Sequence, residues 1–427
     1  MDNEIDSSQK DEPQPVPGLL KTTPSLGDLV GGVSVAMVLI PQAIAYATVA
    51  GLPAEVGLFA ASIPLVVAAP FVSCPWIQTG PTALTSLLAG GALAGLVLAP
   101  AQLAPAAALL ALVVGVTRLL MGILRIGSLT KHLIRPVILG FTTAAAILII
   151  CSQLSKTLGT SHVDSSVIVR AFKSFASFQW SIEAIAVAIS TVAVAHYSKR
   201  IHRLFPSIFL AIILAILYSA LTGYTGATVG ALGGNFISFR TDLPWTQFPR
   251  LLLPGIIIAT VGFAEPTSIS ITLMEEENLE WNPNRELCGG GFANIFSGLF
   301  GGYPVGGSFS RTTINKMAGA TSVWSGLITG CIVLCMLCFT PLLSPLPQAA
   351  LGAIIILAVV RLIKFKEIIE VWAANRIHGA IAVTTLLITL FFSPEVHFGI
   401  LIGAALGVAV TFWDQAKAMS IEDGLKA

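Results

Sequence analysis

The sequence is poor in charged side chains. Asp, Glu, Lys and Arg together make up 11% of its 427 residues, against roughly 25% in soluble domains. So little charge excludes a soluble globular fold, because its surface would offer water very few charged groups. With 55% hydrophobic residues and a mean hydropathy of +0.86, the composition indicates a polytopic membrane protein. The formal net charge is +1 and long basic runs are missing, so no nucleic-acid partner is expected.

Residue arrangements typical of catalysis are also missing. The chain offers no His/Asp/Ser constellation, no metal-ligand cluster and no phosphate-binding loop, so we expect neither an enzyme with catalytic residues nor a metal or cofactor. Cys331, Cys335 and Cys338 recur at helical spacing, but no His or carboxylate accompanies them and their neighbours are apolar. We therefore interpret them as packed thiols, and disulfides are not implied.

The N-terminal residues 1–24 are polar and include several prolines and acidic side chains. They lack the basic start and short apolar core of a secretory signal. We therefore expect a retained, flexible cytoplasmic tail.

Long apolar segments fill most of the remaining chain. A helix needs about 20 apolar residues to cross a bilayer, and this rule predicts an all-α polytopic membrane protein with about fourteen spans. Several of the predicted spans are short, which is typical of half-helices and tilted elements. They are 27–50, 56–73, 81–99, 104–124, 133–155, 180–197, 205–222, 249–270, 286–301, 308–320, 322–343, 347–362, 376–392 and 396–413.

Basic residues between these spans indicate a cytoplasmic N-terminus. Cytoplasmic connections carry an excess of Lys and Arg, and such residues follow the fourth, sixth and twelfth spans, whereas three glutamates follow the eighth. An even number of spans returns the C-terminus to the cytoplasm. The third and tenth spans then run in opposite directions, as an inverted repeat of seven plus seven spans requires. The basic residues are Arg125, Lys131, Arg135, Lys199, Arg200, Arg203, Arg361, Lys364 and Lys366.

Two distant segments share an interrupted pattern. Residues 76–88 (WIQTGPTALTSLL) and 303–315 (YPVGGSFSRTTIN) each begin as an extended run broken by Gly and Pro, then open a helix with small hydroxyl residues. Matching interruptions in two halves of a membrane protein indicate a transporter's binding site. A broken helix leaves unpaired backbone N–H groups and the positive end of a helix dipole at membrane depth. An anion is the natural ligand there.

The same segments resemble those of a known family. Residues 41–59 (PQAIAYATVAGLPAEVGLF) resemble the first-span signature of the SulP anion transporters, the solute-carrier-26 group of animals. Residues 80–87 (GPTALTSL) and 294–311 (NIFSGLFGGYPVGGSFSR) are similar to the third and tenth spans of that family. Three motifs in the right order and at the right separation make the resemblance specific. It covers about residues 25–415.

The resemblance implies a fourteen-span inverted-repeat fold in which a core domain moves against a gate domain, with an anion site between the third and tenth spans. The core would comprise approximately residues 25–127 and 249–343, and the gate residues 128–222 and 344–415. Most relatives continue into a cytoplasmic STAS domain, which the short tail 416–427 does not contain, so we expect the transport path without that domain. Relatives are usually dimers, so a homodimer is one state that the resemblance allows.

Small residues at the starts of the two broken helices are the first ligand candidates. Side-chain hydroxyls and backbone N–H groups there can replace part of an anion's hydration shell, although ordinary helix capping is the alternative role for serine. Small side chains in the third span allow close approach to the backbone. The candidates are Ser308, Ser310, Thr312 and Thr313 in the tenth span, and Thr82, Ala83 and Leu84 in the third.

Four further residues are expected beside this site. Gln42 and Tyr46 lie one helical turn apart, so both can face one cleft; the resemblance implies that they lie beside the substrate, and a polar pair joining two helices is the alternative. Phe309 either places its ring against the anion or packs. Arg311 offers a fixed positive charge, with an ion pair to Glu265 or a position facing cytoplasmic water as alternatives.

Glu265 lies in an apolar span, where an ionisable group indicates a function. Burial there favours the neutral form, so Glu265 could take up a proton as a co-transported charge; a salt bridge is the alternative. The resemblance connects an acid at this position to cation or proton coupling, and sodium-coupled bicarbonate members pair an Asp with a hydroxyl residue one turn later. Here that later residue is Ile269, so we expect protons rather than sodium.

Three classes of transport function remain open. The principal hypothesis is a proton-coupled secondary transporter of sulfate, bicarbonate or a dicarboxylate, in the plasma (inner) membrane with both termini cytoplasmic. An uncoupled anion channel or a sodium-coupled bicarbonate symporter is the alternative, and accumulation against a gradient separates the channel from the carriers. A nucleobase:cation symporter is the remote alternative, because it needs paired buried carboxylates and the tenth span offers Arg311 and hydroxyls instead.

Overall fold

The computed structural model describes residues 14–15, 23–96, 98–127, 135–160, 166–201, 204–230, 239–393, 395–407 and 409–410. The tails 1–24 and 416–427 therefore lie almost wholly outside the described residues, as do Lys131 and Arg203. The elements of the first half are β1 (Gln14–Pro15), α1 (Leu26–Val49), α2 (Ala54–Ala68), β2 (Thr79–Gly80), α3 (Ala83–Ala94), α4 (Pro100–Ile123), α5 (Arg135–Leu158), α6 (Val167–Ala176), α7 (Ile182–Tyr197) and α8 (Ser207–Thr222).

Helices also form most of the second half. Strand β3 pairs with β1 in parallel, and β4 pairs with β2 in antiparallel orientation. Short 3-10 segments extend α7, α13 and α14 and precede α9. The elements are α9 (Phe248–Val261), α10 (Ala264–Glu276), β3 (Leu279–Glu280), α11 (Pro283–Leu299), β4 (Gly306–Gly307), α12 (Phe309–Met317), α13 (Trp324–Met336), α14 (Gln348–Val359), α15 (Phe365–Ala374), α16 (Arg376–Phe391) and α17 (His397–Gly407).

The prediction of a mostly helical membrane protein is confirmed. Each predicted span contains at least one of these helices, with ends that differ by a few residues. In the part of the chain that the structure describes, six helical stretches are long and apolar enough to cross a membrane, and the other apolar helices have 10 to 17 residues. Length therefore establishes six candidate crossings, and the total of fourteen stays a prediction.

Two helices, α6 and α15, lie outside the predicted spans. Each has ten residues, and each leaves large apolar side chains exposed, Phe172 and Phe175 on α6 and Ile369 and Trp372 on α15. Charged residues such as Lys173 and Glu370 share these helices. This amphipathic pattern is typical of helices that lie along a membrane surface. A rule that searches for about 20 apolar residues does not find α6, and the predicted span 347–362 ends before α15, although the helical stretch Gln348–Ala374 includes it.

Close packing between helices builds the part of the fold that contains β2 and β4. Helix α4 packs along α11, and α13 packs against α1 and α2. Glycine makes the first contact possible, since a Cβ on Gly115 would lie 2.5 Å from the Ile295 nitrogen and one on Gly298 would lie 2.5 Å from the Ala108 oxygen. Glycine at these two positions therefore allows the two helices to approach closely.

The interpretation of Cys331, Cys335 and Cys338 as packed thiols is wrong. All three are free and exposed on α13 and the 3-10 segment that follows it. Only 33% of this span is buried inside the protein. Its apolar sequence therefore reflects a surface suited to lipid rather than a protein core.

Candidate functional site

The two interrupted segments meet in the structure. Strands β2 and β4 pair with Thr79 opposite Gly307 and Gly80 opposite Gly306. The Ser308 N–H extends this pairing by donating to the Gln78 carbonyl at 3.1 Å. Helix α3 begins three residues after β2, and α12 begins two residues after β4. The N-termini of α3 and α12 are therefore fixed next to each other by backbone hydrogen bonds.

Glycine at the β4 end of this pair is required by close approach. A Cβ on Gly307 would lie 2.8 Å from the Pro266 Cβ and 3.0 Å from the Ile77 Cδ1. Any larger residue would push β4 away from α10 on one side and from the segment before β2 on the other. The Gly306–Gly307 pair thus sets where α12 can begin.

At the tip of α3, Thr82 caps the helix. Its side chain accepts from the Thr85 N–H at 3.2 Å, and the Thr85 hydroxyl accepts from the Thr82 N–H at 3.3 Å. This reciprocal capping box occupies the Thr82 side chain. The next two backbone N–H groups, those of Ala83 and Leu84, belong to the first turn and have no partner inside the helix. Both residues are buried.

At the tip of α12, the cap comes from a distant carboxylate. Ser308 occupies the N-cap position, but its side chain makes no capping hydrogen bond, so the ordinary capping role does not describe it. Instead Glu265 Oε1 accepts from the Phe309 N–H at 2.9 Å. A negative group at the positive end of a helix is favourable. Glu265 therefore occupies the kind of position that an anionic ligand of α12 would take.

Arg311 lies behind the two tips. Its side chain is fully buried, and Nη1 donates to the Pro81 carbonyl at 2.9 Å and to Gln42 Oε1 at 3.3 Å. Among the described residues, Nε and Nη2 have no hydrogen-bond partner, and no carboxylate oxygen, that of Glu265 included, lies within 4.0 Å. Arg311 therefore neither faces water nor forms the direct ion pair considered above, and it keeps a positive charge between α1, α3 and α12.

The remaining candidate residues include a buried pair on α1 and an exposed pair on α12. Gln42 and Tyr46 are buried on α1, and Gln42 is bound to Arg311, as the alternative of a polar residue joining helices describes. Phe309 and Ser310 are exposed, and the Ser310 hydroxyl lies 3.4 Å from that of Ser308. The open side of the site is thus lined by α12, and its closed side by α1 and α3. Thr312 instead accepts from the Gln78 N–H, and Thr313 donates to the Phe309 carbonyl.

A break between α9 and α10 positions Glu265. Pro266 has no N–H to donate to the Gly262 carbonyl, so the regular helical pattern cannot continue there. The Phe263 N–H bonds the Thr260 carbonyl at 3.3 Å instead of the carbonyl four residues back. Glu265 follows directly after this turn, in the first turn of α10. Sequence reasoning identified Glu265 but missed that the span carrying it is also interrupted, although the Gly262 and Pro266 spacing was visible.

Sequence reasoning also missed the side chains that hold the segment before β4. Asn294 on α11 binds both backbone groups of Val305, accepting from its N–H at 2.9 Å and donating to its carbonyl at 3.0 Å. Ser297 donates to the Tyr303 carbonyl at 2.7 Å, and the Tyr303 hydroxyl lies 2.8 Å from that of Ser86. This segment is therefore fixed to α11 and α3 before it reaches α12.

Asn294→Leu is expected to destabilise the protein. A leucine of similar size would leave the buried N–H of Val305 without its acceptor, a loss that costs on the order of 1–3 kcal/mol. Thermal unfolding of the purified protein in detergent measures the effect. Thr272→Val is the matched control, since the exposed Thr272 hydroxyl bonds only within its own helix. Equal unfolding temperatures for the two variants would contradict the role given to Asn294.

Comparison with known proteins identifies the family. The sequence profile of the sulfate permease family matches residues 26–385. The chain belongs to the sulfate permease family. The resemblance drawn from the three motifs is thereby confirmed for most of the membrane part of the chain.

Two members of the family illustrate how far the similarity extends. The chain is 36% identical over 408 residues to "Sulfate transporter 4.1, chloroplastic" of Arabidopsis thaliana, covering 91% of this chain and 58% of that protein. It is 29% identical over 430 residues to "Sodium-independent sulfate anion transporter" of Bos taurus, covering 91% of this chain and 70% of that protein. The chain thus spans 58% to 70% of these relatives' lengths. Both are named as transporters, and the prediction that the chain is not an enzyme is confirmed.

Two solved transporter structures share the fold of this chain. The murine solute carrier 26 member A9, an anion transporter in an inward-facing state, matches with a TM-score of 0.84 at 22% identity, over 93% of this chain and 70% of that one. The transmembrane domain of the cyanobacterial bicarbonate transporter BicA matches with a TM-score of 0.76 at 23% identity, over 90% of this chain and 97% of that one. At these identities the likeness concerns the fold.

Proposed function

We propose that this member of the sulfate permease family is a secondary active transporter of a small anion, coupled to protons. The observation that carries the proposal is the pairing of β2 with β4, which places two helix N-termini together beside the carboxylate of Glu265. Two such N-termini and the buried Arg311 provide a positive potential without any exposed lysine or arginine at the site.

The anion is proposed to bind between the two tips. Its donors would be the first-turn N–H groups of Ala83 and Leu84 on α3 and of Ser310 and Arg311 on α12, which have no partners inside their helices. The Ser308 and Ser310 hydroxyls, neither of which caps the helix, can add side-chain hydrogen bonds. Thr82 would act through the helix that it caps.

The remaining candidates would shape this site from its edges. Phe309 borders the open side with its ring. Gln42 would act by orienting Arg311, to which it is bound. Tyr46, which is buried on α1 one helical turn after Gln42, would close the site from that side.

Glu265 is the proposed proton-coupling residue. Its carboxylate takes the Phe309 N–H, and an anion at the same helix tip would meet its negative charge at short range. Like charges that share a site disfavour each other's charged forms. Protonation of Glu265 removes this repulsion and weakens its bond to the N–H, so proton uptake favours anion binding.

Sodium coupling is the less favoured alternative. A sodium ion needs several oxygen ligands, as hard cations in proteins do. One turn after Glu265 stands Ile269, which is buried and has no side-chain oxygen to bind sodium.

The proposed substrates are sulfate, bicarbonate or a dicarboxylate, and the relatives named as sulfate transporters favour sulfate. An uncoupled anion channel uses the same tips and is separated only by experiment. A nucleobase:cation symporter is disfavoured, because α12 presents Ser310 and Arg311 where a second buried carboxylate is needed.

The same proposal includes the arrangement in the membrane. Fourteen spans in a 7+7 inverted repeat, with both termini in the cytoplasm, let β2 and β4 approach from opposite sides, and their antiparallel pairing supports this topology. The core would contain residues 25–127 and 249–343 and move against a gate of residues 128–222 and 344–415; packing of α4 on α11 and of α14 on α5 and α7 supports the division. A plasma (inner) membrane location and a homodimer complete the proposal.

Uptake into proteoliposomes tests the function. Vesicles holding the purified protein would receive labelled sulfate, bicarbonate or fumarate under an imposed proton gradient, a sodium gradient or none. We expect one of these anions to accumulate above its external concentration with an inward proton gradient but not with sodium alone. Equilibration without accumulation would establish the channel instead, and no uptake of any anion would contradict the proposal.

A further inference from the structure

A second buried cation, Arg118 on α4, lies outside the site described so far. Its side chain is 1% exposed, and its guanidinium donates to three backbone carbonyls: Nε to Ala259 at 3.1 Å, Nη1 to Val305 at 3.0 Å and Nη2 to Ile258 at 3.4 Å. No carboxylate of the described residues lies within 4.0 Å of it. Arg118 is thus a buried charge held by backbone dipoles alone.

The Ala259 carbonyl is available because α9 ends there, whereas the Ile258 carbonyl also accepts from the Gly262 N–H at 3.0 Å. The Phe263 N–H, which would reach Ala259 in a continuous helix, bonds Thr260 instead. The Ala259 carbonyl therefore needs another donor, and a cation at the negative end of a helix dipole is favourable. Arg118 replaces the hydrogen bond that the break removes.

The third carbonyl, that of Val305, lies in the segment that leads through β4 to α12. Val305 directly precedes β4, and Ser308 follows β4 at the start of α12. One planar guanidinium therefore joins the end of α9, after which Glu265 follows, to the segment that places α12. The distance between Glu265 and the Phe309 N–H depends on both of these elements.

Glycine leaves the room that the guanidinium occupies. A Cβ on Gly262 would lie 2.8 Å from Arg118 Nη2 and 2.6 Å from the Ile258 carbonyl oxygen. An alanine at position 262 would thus press on both the guanidinium and the Ile258 carbonyl that it binds, without changing the charge of Arg118. This offers a second, independent way to disturb the same contact.

We propose that Arg118 is a positioning residue for the anion site, which fixes the carboxylate-bearing span relative to the N-terminus of α12 by bridging the ends of α9 and β4. The inference rests on the proposed function, in which that distance controls the exchange of Glu265 and the anion. Arginine is required because its fork of donors reaches three carbonyls in a fixed geometry, whereas a lysine ammonium is a point charge on a flexible stem.

The test compares Arg118→Lys, Gly262→Ala and the double variant in proteoliposomes, after size-exclusion chromatography shows which variants fold. We expect both single variants to lower kcat/KM for the transported anion about tenfold or more and to alter the pH dependence of KM. The double variant should be no worse than the poorer single one, because both changes break one contact. Arg250→Lys, an exposed cation on α9, and Gly326→Ala, where a Cβ would meet its neighbours only at 3.9 Å, are the controls and should match the wild type.

Other outcomes separate this inference from the proposed function. Folded Arg118→Lys and Gly262→Ala proteins with wild-type KM and wild-type pH dependence would overturn the positioning role, even if they unfold at lower temperature. Should Arg118→Lys fail to fold, the transport kinetics of Gly262→Ala decide by themselves. A wild-type protein that transports without any pH dependence would contradict proton coupling, while the effects on KM would still test Arg118.

Discussion

Ser310→Trp is expected to abolish anion uptake while leaving the protein folded. Ser310 is the second residue of α12 and is exposed, so an indole there can point into the space between the two helix tips without disturbing the packed core. The anion would lose its position against the N–H groups of α3 and α12. Because displacement of a bound group by about 1 Å can reduce rates by roughly a hundredfold, we expect at least that loss in initial uptake rate.

Met317→Trp is the matched control for this variant. Met317 is also exposed and ends the same helix, so the substitution adds the same side chain two turns away from the tip. It should transport at the wild-type rate. Wild-type uptake by a folded Ser310→Trp protein would place the anion elsewhere.

Glu265→Gln is expected to remove the pH dependence of transport. The amide oxygen of glutamine can still accept from the Phe309 N–H, but it carries no charge and takes up no proton. In the wild type, KM for the anion should rise as pH increases and Glu265 becomes charged, by up to about tenfold per pH unit. In Glu265→Gln, KM should stay near its low-pH value at every pH, and an imposed proton gradient should no longer drive accumulation.

Glu183→Gln provides the control for this second experiment. Glu183 lies on α7, where its carboxylate accepts from the Thr225 hydroxyl at 3.0 Å, far along the chain from the site. Its removal should leave both the pH dependence and the accumulation intact. A Glu265→Gln protein that still accumulates the anion with a proton gradient would show that the proton is carried by another group.

Hydropathy predicted the helices around this site because each helical span is encoded by a local run of apolar residues. The same reasoning failed for α6, which is too short and too mixed to register as a span, and it ended the predicted span 347–362 before α15. It also misplaced Cys331 and its neighbours, since an apolar helix facing lipid and one facing the protein core have similar sequences. The number of crossings is not decided by the structure either, because several helices are shorter than a bilayer is thick.

The candidate site likewise contains some features that the sequence predicted and others that it did not. Gly80, Pro81, Gly306 and Gly307 signalled the two broken segments, since only backbone chemistry was needed to interpret them. The bond from Phe309 to Glu265 joins residues 44 positions apart, and those of Arg118 join residues at least 140 apart. Such partners depend on tertiary packing, which one sequence does not display. The N-cap residues show the same limit: Thr82 and Ser308 look alike in sequence, yet only Thr82 caps its helix.

The most direct test is the position of a bound anion. Selenate, a sulfate analogue whose selenium scatters anomalously, would be diffused into crystals of the protein at a pH low enough to neutralise Glu265. We predict one anomalous peak between the tips, within hydrogen-bond distance of the Ala83 or Leu84 nitrogen and of the Ser310 or Arg311 nitrogen. A selenate-transporting protein whose anomalous peak lies away from both helix tips would contradict the account.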